Sequence, residues 1–165
     1  MAIVPRRPDG RASTKFFWPR AWITAESGRN LHLARLKAGT RFGELTMNIL
    51  IVDDNVALGE TLAMMLETLG HRPSLALTGY AGVEAAKTSL PRLVLLDLGL
   101  PDIDGFEVCR LIRAVPGLET TLIVAQSGRD DAEDVERAMT GGFDRFIVKP
   151  APFEALEELI ALADA

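Results

Sequence analysis

The sequence predicts an α/β fold in which a five-stranded parallel sheet is covered by helices on both faces. Three observations lead there. Five short apolar runs alternate with five stretches whose apolar residues recur at helical spacing, the pattern of a parallel sheet with crossover helices. Residues 49–52 and 93–96 are apolar at every position, as strands buried on both faces must be. Four of the five runs end on a charged or hydroxyl residue, and in open parallel sheets the site lies outside the carboxyl ends of the strands.

The elements follow in order. Residues 49–52 form the first strand. Leu58, Leu62, Met65, Leu66 and Leu69 mark a helix closed by Gly70, with Met64 and Met65 read as core filling. Residues 74–77 make a short second strand. Val83, Ala86 and Leu90 mark a helix ended by Pro91. Residues 93–96 form the third strand, and Phe106, Cys109 and Ile112 place the next helix, with Cys109 as inert core. Residues 122–125 are the fourth strand, and an acidic helix runs over 131–140 to Gly141 and Gly142. Residues 146–148 are the fifth strand, and Phe153, Leu156, Leu159 and Ile160 mark a final helix. Crossovers between parallel strands are expected to be right-handed.

Composition narrows the class. A chain of 165 residues with 48% apolar and 25% charged residues can bury one domain's core. No apolar run reaches the roughly 18 residues of a membrane span, and no signal-peptide core follows Met1. Cys109 is the single cysteine, which excludes a disulfide framework and a multi-cysteine zinc site within one chain. A cytoplasmic protein is the simplest reading.

Charge is divided unevenly. Residues 1–46 hold nine Lys/Arg against three acidic residues, a net +6, whereas residues 47–165 carry nine against twenty, a net −11. The acidic part argues against non-specific binding to nucleic-acid phosphates. The basic part has Pro5, Pro8 and Pro19, no sustained period, and two apolar clusters, one around Phe16, Phe17, Trp18, Trp22 and Ile23 and one of Leu31, Leu33 and Leu36. Lone His32 reads as a surface histidine. Residues 1–46 are therefore expected to be a disordered basic arm, the vestige of an upstream domain, or sequence outside the native product. The charge break and the position of Met47, directly before the first strand, favour the last.

The strand ends carry the chemistry. The first delivers Asp53 and Asp54, the third Asp97, the fourth Ser127 after Gln126, and the fifth Lys149. In a parallel sheet these side chains converge on one edge. Three neighbouring carboxylates repel one another unless a cation joins them, and oxygen-only ligands suit a hard divalent ion such as Mg²⁺. A carboxylate, a divalent ion, a lysine and a hydroxyl together make a place for a phosphoryl group attached to that carboxylate. Taken singly, an Asp-Asp pair is most simply a cap and a Ser-Gly a loop; their joint appearance at successive strand ends is what carries weight.

The segments Ile-Leu-Ile-Val-Asp-Asp-Asn, Leu-Leu-Asp-Leu-Gly-Leu-Pro-Asp-Ile-Asp-Gly, Ile-Val-Ala-Gln-Ser-Gly and Phe-Ile-Val-Lys-Pro resemble the receiver domain of bacterial two-component response regulators. The likeness runs from Met47 almost to the end of the chain. It implies a doubly wound, flavodoxin-like sheet of order 2-1-3-4-5. It also implies that Asp97 is the phosphoacceptor, taking its group from a phosphohistidine on a sensor histidine kinase or a histidine phosphotransfer protein. Asp53, Asp54, Asp97 and the backbone carbonyl of Gly99 are then the Mg²⁺ ligands. Ser127 and Lys149 meet the phosphoryl oxygens, the bond before Pro150 is cis, and Phe146 sits at the aromatic switch position coupled to Ser127.

The signalling face implied by the same resemblance includes Phe146 and the run Asp130, Asp131, Glu133, Asp134 and Glu136. Gly99 and Arg129 occupy positions that tune phosphate lifetime in the family. The final segment also looks like the receivers at the ends of hybrid histidine kinases, which suits a relay intermediate or a phosphate sink. With no sequence left for an output domain, a stand-alone receiver is expected, acting on a downstream protein and contacting neither nucleic acid nor membrane. Two alternatives stand beside it. A Mg²⁺-dependent phosphohydrolase would want an acid two residues beyond the nucleophile, where Gly99 stands. A phosphorylation-independent adaptor would not need the intact Asp53, Asp54, Asp97 and Lys149 set.

Overall fold

The structure is a computed structural model that describes residues 46–128 and 132–164. The basic extension through residue 45, Arg129, Asp130, Asp131 and the side chains of Glu133 and Asp134 lie outside what it describes. The elements are β1 (Asn48–Val52), α1 (Val56–Thr68), β2 (Arg72–Ala76), α2 (Gly79–Ser89), β3 (Leu93–Asp97), α3 (Gly105–Arg113), β4 (Leu122–Ser127), α4 (Ala132–Thr140), β5 (Arg145–Val148) and α5 (Phe153–Asp164). All four strand pairings are parallel and the sheet order is β2-β1-β3-β4-β5, the doubly wound arrangement expected.

Alternation along each strand sorts the core into two layers. Ile49 and Ile51 of β1, Leu93 and Leu95 of β3, Val124 of β4 and Ile147 of β5 pack with Leu62 and Leu66 of α1 and with Leu156, Leu159 and Ile160 of α5. Leu50, Val52, Val94, Leu96, Ile123, Ala125 and Phe146 face the other way, against Val83 of α2, Val108 and Ile112 of α3, and Met139 of α4. Both neighbours of β1 are strands, so each of its residues 49–52 is shut off from water. Burying one such side chain is worth about 1.5–3 kcal/mol, and a slip of one residue would move every member to the wrong layer. The register is thereby held.

Local chemistry sets the ends. Asn55 caps α1 by accepting from the Leu58 amide at 3.1 Å. Gly70, at φ +87°, closes it, with its own N–H donating to Glu67 and that of His71 to Leu66, which satisfies two of the last carbonyls. Thr78 caps α2 in the same way as Asn55 caps α1.

Some expectations shift. β2 begins at Arg72, because the Arg72 amide already donates to the Met47 carbonyl, and Leu77 falls beyond it. Pro73 is tolerated since β2 is an edge strand. β4 runs on through Gln126 and Ser127. Leu90 is the left-handed C-cap of α2, at φ 44° and half exposed, so it does not belong to the apolar face. Met64 is no core filler: it is 62% exposed, and only Met65 is partly covered. Cys109 is fully buried, as expected.

Candidate functional site

The chain visits β2 on one side of β1 and then crosses to β3 on the other, so the crevice at the carboxyl ends of β1 and β3 is where the winding reverses. Asp53 follows β1 directly, with its amide still tied to the Ala76 carbonyl of β2. Asp97 is the last residue of β3, and the Leu98 amide beyond it donates to Gln126 of β4. The backbone on both sides of the crevice is thus anchored to neighbouring strands.

Three of the expected residues meet around one ammonium. Lys149 Nζ lies 2.7 Å from Asp53 Oδ2 and 2.9 Å from Asp97 Oδ2. Asp53 is wholly buried and Asp97 nearly so, while Asp54 is exposed at the mouth. One carboxylate oxygen from each of the three aspartates lies within 4.8 Å of the others. The remaining oxygens are partly spoken for: Asp53 Oδ1 accepts from the Asn55 amide at 2.9 Å, and Asp97 Oδ1 from the Gly99 amide at 3.1 Å. Burial by itself would pull the Lys149 ammonium down, but the hydrogen bonds and charges of Asp53 and Asp97 outweigh that and hold it above the ordinary lysine value.

The donor set fits a hard divalent cation. Asp53 Oδ2 is buried against the Lys149 ammonium, and a carboxylate oxygen facing one such donor keeps lone-pair capacity for a further ligand. Among the described residues the three convergent carboxylates have one cationic side chain beside them, Lys149 against Asp53 and Asp97, which leaves a negative excess that such an ion would relieve.

Ser127 stands half-buried at the end of β4, paired with Val148, and its carbonyl accepts from the Lys149 amide at 2.8 Å. The hydroxyl and ammonium therefore share one rim. The Lys149–Pro150 bond is cis. Phe146 is fully buried beside Ala125 and contributes nothing to an exposed face in this conformation. Gly99 is exposed, and a side chain there would stand 3.8 Å from Asp97 Oδ1. Glu136 is exposed on α4, and it represents the part of the acidic run that can be placed.

Sequence reasoning missed how the β3–α3 loop is held. Asp102 accepts from the Gly79 amide at 2.7 Å and the Tyr80 amide at 2.9 Å, so a residue five positions past Asp97 caps α2. The Tyr80 amide, with further help from Gly79, holds its carboxyl below the usual carboxylate range. Asp104 caps α3 through the Phe106 amide at 2.9 Å, and its second oxygen reaches Arg137 of α4 at 3.3 Å. Gly105 is required by proximity, since a Cβ there would lie 2.5 Å from the Asp97 carbonyl oxygen. Asp104, followed three residues later by Glu107 ahead of a helical pattern, is a capping signature visible in the sequence. Asp102 had no such signal, because its partners lie more than twenty residues upstream.

Fold and site together define a class: a doubly wound α/β domain whose switch-point crevice holds three aspartates, two of them bridged by one lysine. The chain belongs to the response regulator receiver domain family of two-component signalling, whose family model matches residues 49–161. It is 36% identical over 113 residues to the transcriptional regulatory protein AfsQ1 of Streptomyces coelicolor, covering 68% of this chain and 49% of that one. It is 31% identical over 117 residues to the signal transduction histidine-protein kinase BarA of Escherichia coli, covering 71% of this chain and 13% of that kinase. The chain thus spans half or less of these relatives. Among solved structures it resembles the receiver domain of sensor histidine kinase PA1611 from Pseudomonas aeruginosa, which has a magnesium ion coordinated in its active site cleft. The TM-score is 0.67 at 27% identity, covering 73% of this chain and all of that one. This is a signalling domain family, and among the described residues no helix is long and apolar enough to cross a membrane.

Proposed function

We propose that this domain is a phosphoacceptor, taking a phosphoryl group from a phosphohistidine of a partner kinase or phosphotransfer protein onto Asp97. The single observation that carries the reading is the Lys149 ammonium bridging Asp53 and Asp97 at 2.7 and 2.9 Å, with Asp54 alongside. A carboxylate oxygen of Asp97 attacks phosphorus in line. The new O–P bond makes an acyl phosphate as the P–N bond breaks, and its electron pair returns to the imidazole nitrogen. Lys149 follows the charge from the carboxylate to a phosphoryl oxygen, and the Ser127 hydroxyl donates to another. Preorganised charges of this kind stabilise the transition state with little rearrangement.

Asp53, Asp54, Asp97 and the Gly99 carbonyl would hold Mg²⁺, which when bound supplies positive charge to the transferring phosphoryl group. Drawing Ser127 and Lys149 toward the phosphate shifts the ends of β4 and β5, and Phe146 between them transmits the change toward α4. The net −11 of residues 47–165 directs that output to proteins rather than to DNA phosphates.

The test is incubation with Mg²⁺ and acetyl phosphate, followed by intact mass. One added phosphoryl group, lost in Asp97→Asn, is the expected result. Turnover of many phosphoesters would instead indicate a hydrolase, and an unmodified chain would indicate an adaptor that works by its surface alone.

A further inference from the structure

Gln126 is a polar side chain with no exposure, and neither its amide oxygen nor its amide nitrogen has a hydrogen-bond partner. An apolar side chain of the same volume would avoid that penalty, so the amide calls for an explanation. Its place suggests one. Alternation along β4 puts Gln126 on the layer of Val124, the α1/α5 side of the sheet. Asp97 lies directly across from it in β3, on the side of Leu93 and Leu95. Ile147 lies directly across in β5 and on the same side, and Lys149 follows two residues later, just past the end of that strand. Directly paired strand positions are about 5 Å apart and diagonal ones about 7–8 Å, which a long side chain spans. Gln126 therefore sits beneath the point where Lys149 meets Asp97.

We propose that Gln126 is a positioning residue for Lys149, its amide oxygen accepting one ammonium proton when Asp97 carries a phosphoryl group. The inference rests on the phosphoacceptor reading. At rest the ammonium is directed to two carboxylates, Asp53 Oδ2 and Asp97 Oδ2. Forming the acyl phosphate removes the carboxylate charge from Asp97, and Lys149 must turn to the phosphoryl oxygens. A neutral acceptor from below then holds the ammonium over them, and the Gln126 amide oxygen gains in that state the partner it lacks at rest. The amide thus disfavours the resting domain and favours the loaded one.

The experiment uses the full chain and beryllofluoride, a phosphoryl mimic, titrated calorimetrically with Mg²⁺ present. Gln126→Met keeps the volume and removes the acceptor. Its expected signature is a melting temperature at or above that of the parent with a beryllofluoride affinity about tenfold weaker, the worth of one hydrogen bond to a charged group. In a Lys149→Met background the same substitution should change affinity less than twofold. A tenfold loss that persists without Lys149, or a loss below twofold with it, overturns the proposal while leaving the phosphoacceptor reading standing. A lower melting temperature in Gln126→Met also overturns it, since the amide would then be satisfied at rest. If the parent chain neither binds beryllofluoride nor takes a phosphoryl group at Asp97, the phosphoacceptor reading itself falls.

Discussion

Replacing Lys149 by methionine tests the site by its charge balance alone, without any phosphate. The substitution removes the cation 2.7 Å from Asp53 Oδ2 and 2.9 Å from Asp97 Oδ2 but keeps most of the stem that packs beneath it. Removing one partner of a buried pair costs about 3–5 kcal/mol. Asp53 is fully buried but the Lys149 side chain keeps 16% of its surface exposed, so the lower end applies, and we expect a loss of about 3 kcal/mol. For a domain of this size that is a fall of roughly 10 °C in Tm. Mg²⁺ competes with the ammonium for the same oxygens, so it should bind the variant more tightly than the parent. At a hundredfold excess over its Kd it returns about 2.7 kcal/mol, nearly the whole deficit.

Thermal denaturation with and without Mg²⁺, alongside a Ca²⁺ series, reads both effects. The pH dependence has a definite sign. Because folding raises the Lys149 value above 10.5, its contribution is complete below that pH and disappears as pH rises beyond the folded value. Lys149→Met should therefore flatten the alkaline limb of the stability profile. A variant as stable as the parent in the absence of Mg²⁺, or one that gains no more from Mg²⁺ than the parent does, would refute the account of Lys149 as the cation that balances this crevice.

Two further outcomes follow from the loop between Asp97 and α3. Asp102→Ala should speed amide exchange at Gly79 and Tyr80 without unfolding the sheet; in the parent the same protection fades as pH falls below about 3.8 through the lowered Asp102 value, because protonation removes the acceptor. Gly105→Ala should cost about 1–3 kcal/mol and, on the phosphoacceptor proposal, slow phosphorylation from acetyl phosphate, since its Cβ would press to 2.5 Å from the Asp97 carbonyl oxygen and 2.9 Å from Leu98 Cα, which cannot yield without moving Asp97. Chemical denaturation and a phosphorylation time course check that pair of effects.

What was legible in the chain was what repeats or what stands next to a recognisable boundary. Ile49, Leu50, Ile51 and Val52 announce a central strand because there is no water-facing side for a polar residue to occupy. Asp53, Asp97 and Lys149 were readable as one site because parallel strands bring their ends together whatever lies between. Arg72 and Pro73 disguised the start of β2, since an edge strand needs neither an apolar face nor a full set of amides. Met64 and Leu90 look like core by residue type, and only the turn of each helix puts them outside. Asp102 and Gln126 were invisible for another reason: their significance is set by what lies across the fold, Gly79 and Tyr80 for one, Asp97 and Lys149 for the other.

The bridge from Lys149 to Asp53 also bears on how the molecule comes into being. It joins the end of the last strand to the end of the first, across nearly the whole described chain. Contacts so distant in sequence are closed late, after local helices and neighbouring strands have formed. Until β5 docks, Asp53 and Asp97 lack the one cationic side chain that, among the described residues, pairs with them. A half-assembled domain therefore repels itself at the crevice that the finished one holds together, and the closed ion pair becomes a certificate of completed folding.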